Sequence, residues 1–291
     1  MGKYSIKELE TLSGIKAHTI RIWEKRYKII APQRTPTNIR FYSDTDLKKI
    51  INVSVLNTTG IKISRIANLT EEELNKKVQD ISHHENQNNV HIDQLVTAMI
   101  DLEEEKFEKD LSEIEKKIGF EKTILEIVYP FLNKIGILWQ TGSITPAHEH
   151  FISNIIRQKI IVSIAALPIP SKSAVRVVLF LPENELHEIA LLFYHYIARK
   201  YGCRTYYLGQ SVPHGDLKSV YAIHRPHILI TSLSTVPSPK NLNAYLELLS
   251  QDFSASRIFA SGALLKQTSF KHPSNLKVFD TAMDLKELLQ M

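Results

Sequence analysis

The last third of the chain sets the tightest limit on its fold. Between residues 174 and 290, short apolar runs alternate with amphipathic helical stretches. Val175–Leu181 (VRVVLFL) is apolar at nearly every position, which suits a strand buried on both faces. A helix over Leu186–Tyr201 follows. Further strands are expected at Arg204–Leu208, His227–Leu233, Arg257–Ala260 and Leu276–Phe279, with helices near 214–224 and 239–252 and a last one reaching about Leu289. Alternating β and α units with apolar strands predict a parallel, doubly wound α/β sheet over residues 172–291. Such sheets bind ligands at the carboxyl ends of their strands.

Upstream, the apolar period becomes helical. Residues 90–168 read as four amphipathic helices, near 90–104, 105–118, 120–139 and 146–167, punctuated by Gly119, Gly142 and Pro146. Short joints between them predict a small four-helix bundle. The stretch 83–89 (HHENQNN) has no apolar member and is the best linker candidate.

Residues 1–82 form a separate helical segment. Ser5 can cap a helix from Ile6 to about Leu12, with Glu8 completing a capping box. Ser13-Gly14-Ile15 makes a tight turn. A second helix, Lys16 to about Tyr27, packs Ile20, Trp23 and Tyr27 and leaves Lys16, His18, Thr19, Arg21, Lys25 and Arg26 on its free face. Helix, glycine turn and basic helix make a helix-turn-helix signature. Pro32, Pro36 and Asn38, then Ile39-Arg40-Phe41-Tyr42, predict a short hairpin or wing, and Ser43 or Asp44 caps the helix after it.

Charge follows the same division. Residues 1–80 carry 15 Lys/Arg and 9 Asp/Glu, residues 81–170 carry 8 and 13, and residues 171–291 carry 13 and 9. A basic head beside an acidic middle points to a polyanion-binding part joined to a body with another task. Arg21, His18 and Thr19 are placed to reach base edges in a major groove. Arg26, Arg40 and Tyr42 are better placed for phosphates.

Several classes fall away. A single cysteine, Cys203, excludes an internal disulfide framework and a cysteine-built zinc site within one chain. His148-Glu149 and His187-Glu188 do not extend to H-E-x-x-H, so a zincin site is excluded, and His148 and His150 do not share a helix face for chelation. No apolar run reaches the length of a membrane helix and no signal core opens the chain, so a cytoplasmic, non-membrane protein is expected. The chain is not expected to be an enzyme.

The string Tyr4-Ser-Ile-Lys-Glu-Leu9, Ser13-Gly14-Ile15, Thr19-Ile-Arg21-Ile-Trp23-Glu24-Lys-Arg26-Tyr27, followed by Arg40-Phe-Tyr42 and Asp46-Leu47, resembles the MerR family of winged-helix regulators over residues 4–69. The resemblance implies binding of double-stranded operator DNA by a dimer, because one head offers few contacts.

In the body, Trp139 precedes Glu149-His150 by ten and eleven positions. On its own, a tryptophan at a bundle end is ordinary packing and a lone histidine an ordinary surface residue. Leu181-Pro-Glu-Asn-Glu185-Leu-His187-Glu-Ile-Ala190 lies just after the first buried strand, where a histidine is either simply exposed or a metal ligand oriented by Glu185. Together these features resemble the cobalamin-binding module: a helical bundle with a W-x9-EH motif over a flavodoxin-like domain with an E/D-x-H-x-x-G motif. Joined to a MerR head, the chain resembles the CarH/LitR-type light-sensing repressors. The fold so implied is multidomain: an all-α winged helix-turn-helix head, a four-helix bundle and a flavodoxin-like doubly wound parallel α/β sheet.

By this resemblance His187 is the lower axial ligand to cobalt, Glu185 its partner, Ser232 and Gly262 line the slot for the nucleotide tail, and Trp139, Glu149 and His150 surround the upper, adenosyl face. Adenosylcobalamin then assembles homodimers into a DNA-binding homotetramer, and light undoes it. The chain departs from the pattern at Ala190 (glycine in the motif), Ser261 (the first of a glycine pair) and Gln140 (a histidine in some light-sensing members). Those departures motivate a second reading, a cobalamin-independent regulator controlled by a protein antagonist. A corrinoid methyl-carrier protein is a third, weakened by the DNA-binding head.

Overall fold

Ser5 opens the chain's first helix, α1 (Ile6–Ser13), through the expected capping box: its Oγ accepts the Glu8 amide, and the Glu8 carboxylate accepts the Ser5 amide at 2.5 Å. The computed structural model describes residues 4–34, 40–84, 88–140, 144–235, 237, 241–267 and 270–290. Gly14, at φ +73°, ends α1 in the left-handed conformation. The next helix, α2 (Ala17–Tyr27), starts one residue later than expected. Lys16 has no side-chain acceptor to cap it, so Glu10 of α1 does so instead, accepting the Ala17 amide at 3.2 Å and pairing with Lys16 at 3.1 Å. These contacts hold the Glu10 carboxyl below its ordinary value, the Lys16 bond most of all.

Strands β1 (Gln33–Arg34) and β2 (Arg40–Phe41) pair antiparallel, Gln33 against Phe41 and Arg34 against Arg40. Tyr4 extends the pairing by a bridge to Tyr42. Helix α3 (Asp44–Thr58) opens with a capping box of Ser43 and Asp46. It packs against α1, α4 (Ile63–Ile66), α5 (Glu71–His84) and α6 (Asn88–Ile100). Four residues of the expected linker are helical instead, 83 and 84 at the end of α5 and 88 and 89 at the start of α6, and residues 85–87 lie outside the described residues.

Helix α7 (Glu104–Ile118) follows, then α8 (Phe120–Lys122), a π-helical turn (Thr123–Val128) and α9 (Tyr129–Gln140). The periodicity of the sequence gives no sign of the π turn. Pro130 explains it: its ring clashes with the carbonyl four residues back and it has no amide, and the Tyr129 amide reaches to Ile124 in a widened turn. Phe107 of α7 packs on Phe131 of α9 at 5.5 Å between centroids. Lys134 of α9 meets Asp93 of α6 at 2.6 Å, yet burial lifts the Asp93 carboxyl above its usual range. Helix α10 (Pro146–Ala165) completes the helical part.

The chain divides into two compact units, Met1–Ile155 and Ile156–Met291. The second contains β3 (Arg176–Pro182), α11 (Ile189–Lys200), β4 (Arg204–Val212), α12 (His214–His224), β5 (Ile228–Ser232), α13 (Leu242–Asp252), β6 (Arg257–Ser261), α14 (Ala263–Gln267), β7 (Leu276–Val278) and α15 (Ala282–Gln290). All five strands are parallel, in the order β4-β3-β5-β6-β7. The apolar run forms β3, buried from Val177 to Pro182 as a central strand should be. One face is covered by Leu217 of α12, Leu242, Leu246 and Leu249 of α13, and Leu264 and Leu265 of α14. On α11, which also packs against α15, Leu191, Phe193 and Ile197 are buried. The strand order reverses between β3 and β5, and a crevice at their carboxyl ends is the natural ligand position of this topology.

Among the described residues, no helix is long and apolar enough to cross a membrane.

Candidate functional site

The loop between β3 and α11 sits at that reversal. Asn184 takes φ +68°, and the chain turns so that Glu185 is fully buried while His187 is 64% exposed in its side chain. The Glu185 carboxylate is the hub. Oε1 accepts the Leu186 amide at 3.0 Å, the His187 amide at 3.2 Å and lies 2.5 Å from His187 Nδ1. Oε2 accepts the amides of Ser234 and Thr235 at 3.0 and 2.7 Å and the Thr235 hydroxyl at 3.1 Å. A buried carboxylate is tolerable because its lone pairs are so fully used. One residue thus joins the loop after β3 to the loop after β5 and fixes an imidazole at the sheet's carboxyl edge. A ring whose Nδ1–H donates to a carboxylate keeps its free lone pair on Nε2, the form that binds a metal. Among the described residues, no three His, Cys, Asp or Glu side chains converge to hold a metal ion.

Ser232 and Ser261 stand side by side at the ends of β5 and β6, both buried. Ser261 Oγ donates to the Tyr194 hydroxyl of α11 at 3.0 Å. Gly262 takes φ +116°, and a Cβ there would lie 2.3 Å from the Leu233 carbonyl oxygen. Its lack of a side chain serves the fold directly, letting the two strand-end loops touch; the Leu233 amide donates to Ser261 at 2.7 Å across that contact. Ala190 lies in the first turn of α11, half-buried.

On the helical side, Trp139 and Gln140 end α9, and their side chains lie outside the described residues, as do residues 141–143. Glu149 and His150 lie in the first turn of α10, His150 largely exposed with Nδ1 2.8 Å from Glu149 Oε2. Glu149 Oε1 accepts the Ser153 hydroxyl at 2.7 Å. His148 instead lies at the helix start, its Nδ1 2.9 Å from Thr145 Oγ1.

In the first unit, α2 buries Ile20 and Trp23 and exposes His18, Arg21 and Arg26, with Thr19 half-buried. Trp23 is core, as expected. Arg40 is exposed on β2, 3.7 Å from Glu24. Tyr42 is the correction among these residues. It is fully buried, its backbone paired with Tyr4 and its hydroxyl on Glu24 at 3.2 Å. Burial, then the Glu24 charge, pushes its phenol up to about 12. It holds β2 and Glu24 in place rather than presenting itself to a phosphate.

A family model described as MerR HTH family regulatory protein matches residues 4–73, which run from Tyr4 into α5. Another, described as B12 binding domain, matches residues 91–162, from α6 into α10. The HTH-type transcriptional repressor CarH of Myxococcus xanthus is 30% identical over 244 residues, which cover 81% of this chain and 79% of that protein. The chain belongs to the CarH family of transcriptional repressors. A second relative of this CarH-family chain, the HTH-type transcriptional repressor CarA of the same organism, is 24% identical over 245 residues, covering 83% of the chain and 80% of the relative. Among solved structures, the Methanosarcina barkeri monomethylamine corrinoid protein matches with TM-score 0.53 at 14% identity, over 69% of this chain and 98% of that one. That likeness concerns the fold alone: a helical part followed by a parallel α/β sheet.

Sequence reasoning about this CarH-family site missed Thr235 and Ser234. Their amides and one hydroxyl anchor Glu185, and backbone donors leave no mark in a residue pattern. It also missed what Glu188 holds.

Proposed function

We propose that the chain is a repressor gated by adenosylcobalamin, in three working parts: a winged helix-turn-helix head over 1–82, a four-helix cap over 90–168 and a cobalamin-binding sheet over 172–291. The observation that carries this reading is the His187 imidazole, fastened through Nδ1 to the buried Glu185 at the switch point of the sheet. The donor set fits the metal of a cobalamin: one imidazole nitrogen is held by a carboxylate, and the other is left for the metal. His187 would bind the cobalt. Glu185 would keep the proton on Nδ1 and hold the ring's angle. Ser232 and Gly262 would line the tail slot. Trp139, Glu149 and His150 are assigned to the adenosyl face. Bound there, adenosylcobalamin would supply a cobalt–carbon bond that light cleaves, and the helical cap would act as a two-state packing element.

For the head, α2 is assigned to the major groove, with His18, Thr19 and Arg21 toward base edges and Arg26 and Arg40 toward phosphates. The β1–β2 hairpin is the wing. Two heads on half-sites about 34 Å apart make a dimer the smallest competent form, and the adenosylcobalamin-loaded tetramer the tight one.

Protein purified with adenosylcobalamin in the dark and desalted is expected to retain corrin absorbance and shift operator DNA, and illumination to release the DNA; absence of retained corrin overturns the reading. Separately, Arg40→Ala lowers DNA affinity about threefold to tenfold, similarly on operator and unrelated sequence, and reduces the salt slope by ~1 per bound head. A loss confined to the operator contradicts the phosphate assignment.

A further inference from the structure

Two buried carboxylates flank His187, and they pull in different directions. Glu185 fastens the loop to the segment after β5. Glu188, also buried, reaches elsewhere: Oε1 accepts Nε of Arg157 on α10 in a short contact, and Oε2 accepts the Tyr207 hydroxyl of β4 at 2.9 Å. Its own amide donates to Leu186 at 2.9 Å and its carbonyl accepts Leu192 at 2.9 Å, so Glu188 joins the loop to the first turn of α11. The residue after the imidazole is therefore tied to α10, and α10 also carries Glu149 and His150.

We infer that Arg157 is a positioning residue for His187: through Glu188 it ties α10 to the loop that carries the imidazole and holds that loop in place. The inference rests on the cobalamin reading for its purpose, and on the Arg157–Glu188–Tyr207 contacts for its substance. Removing the guanidinium leaves Glu188 Oε1 buried without its cationic partner, so the loop is expected to open more often.

The test compares wild type, Arg157→Ala and Arg157→Lys, which keeps a cation able to reach Glu188. Without any cofactor, amide hydrogen exchange of residues 186–189 is expected to accelerate about tenfold in Arg157→Ala, with Val177–Phe180 of β3 unchanged and Arg157→Lys close to wild type. Loaded with cobalamin reduced to Co(II), Arg157→Ala is expected to show a weakened nitrogen superhyperfine pattern in electron paramagnetic resonance, restored in Arg157→Lys. Wild-type exchange and wild-type spectra in Arg157→Ala overturn the coupling. If wild type retains no corrin, the cobalamin reading fails, and the exchange measurement alone decides whether α10 holds the loop.

Discussion

Gly262→Ala is expected to lower the melting temperature of the second unit by roughly 8–16 °C, the counterpart of about 4 kcal/mol in a unit of this size. Two costs add. At φ +116° any side chain is strained, by about 1–3 kcal/mol. The new Cβ would also meet rigid backbone, the oxygen, carbon and nitrogen of Leu233 at 2.3, 2.6 and 2.7 Å, and forcing such a contact apart costs about another 1–3 kcal/mol. Separating the loops breaks the Leu233–Ser261 and Leu264–Leu233 backbone bonds between the ends of β5 and β6 as well. Gly215→Ala is the control. It lies in α12 with open space around its Cβ, and is expected to leave stability unchanged or raise it slightly, by less than about 1 kcal/mol. Thermal unfolding followed by circular dichroism checks both, and a wild-type melting curve for Gly262→Ala contradicts the close approach.

His187→Ala should behave in the opposite manner, with a large effect on ligand and a small one on fold. The ring is 64% exposed, and Glu185 retains the Leu186, Ser234 and Thr235 donors and the backbone amide at position 187 when it is removed. Stability is expected to change by less than about 1 kcal/mol, as for exposed substitutions generally. Loss of a partner that merely orients a metal ligand lowers affinity about 10–100-fold, so loss of the ligand itself is expected to weaken cobalamin retention at least ~100-fold. Equilibrium dialysis in the dark measures it. Retention equal to wild type by a folded His187→Ala protein rejects the axial role.

What the residues announce in advance is local. Ser5 with Glu8 declares a helix start and the VRVVLFL run declares a central strand, while Glu185 two residues before His187 leaves that histidine either simply exposed or an oriented ligand. Each signal spans a few positions and acts through its own neighbourhood. Features assembled from afar stay silent. Arg157 and Glu188 are 31 residues apart with no pattern linking them, and the anchor on Glu185 comes from amides, which every residue but proline has. Tyr42 misleads for a related reason: a tyrosine beside a basic strand suits a phosphate contact, but pairing with Tyr4 turns it inward. Gly262, by its motif, suits a slot that makes way for a ligand, yet its nearest neighbour is the chain's own backbone at Leu233.

The position of one nitrogen can be read directly. Protein labelled with nitrogen-15 histidine, loaded with cobalamin and reduced to Co(II), should show a superhyperfine doublet in place of the nitrogen-14 triplet in electron paramagnetic resonance, and His187→Ala should not show that doublet. A triplet that persists in the labelled protein would mean that the cofactor's own base, and not this histidine, sits beneath the cobalt.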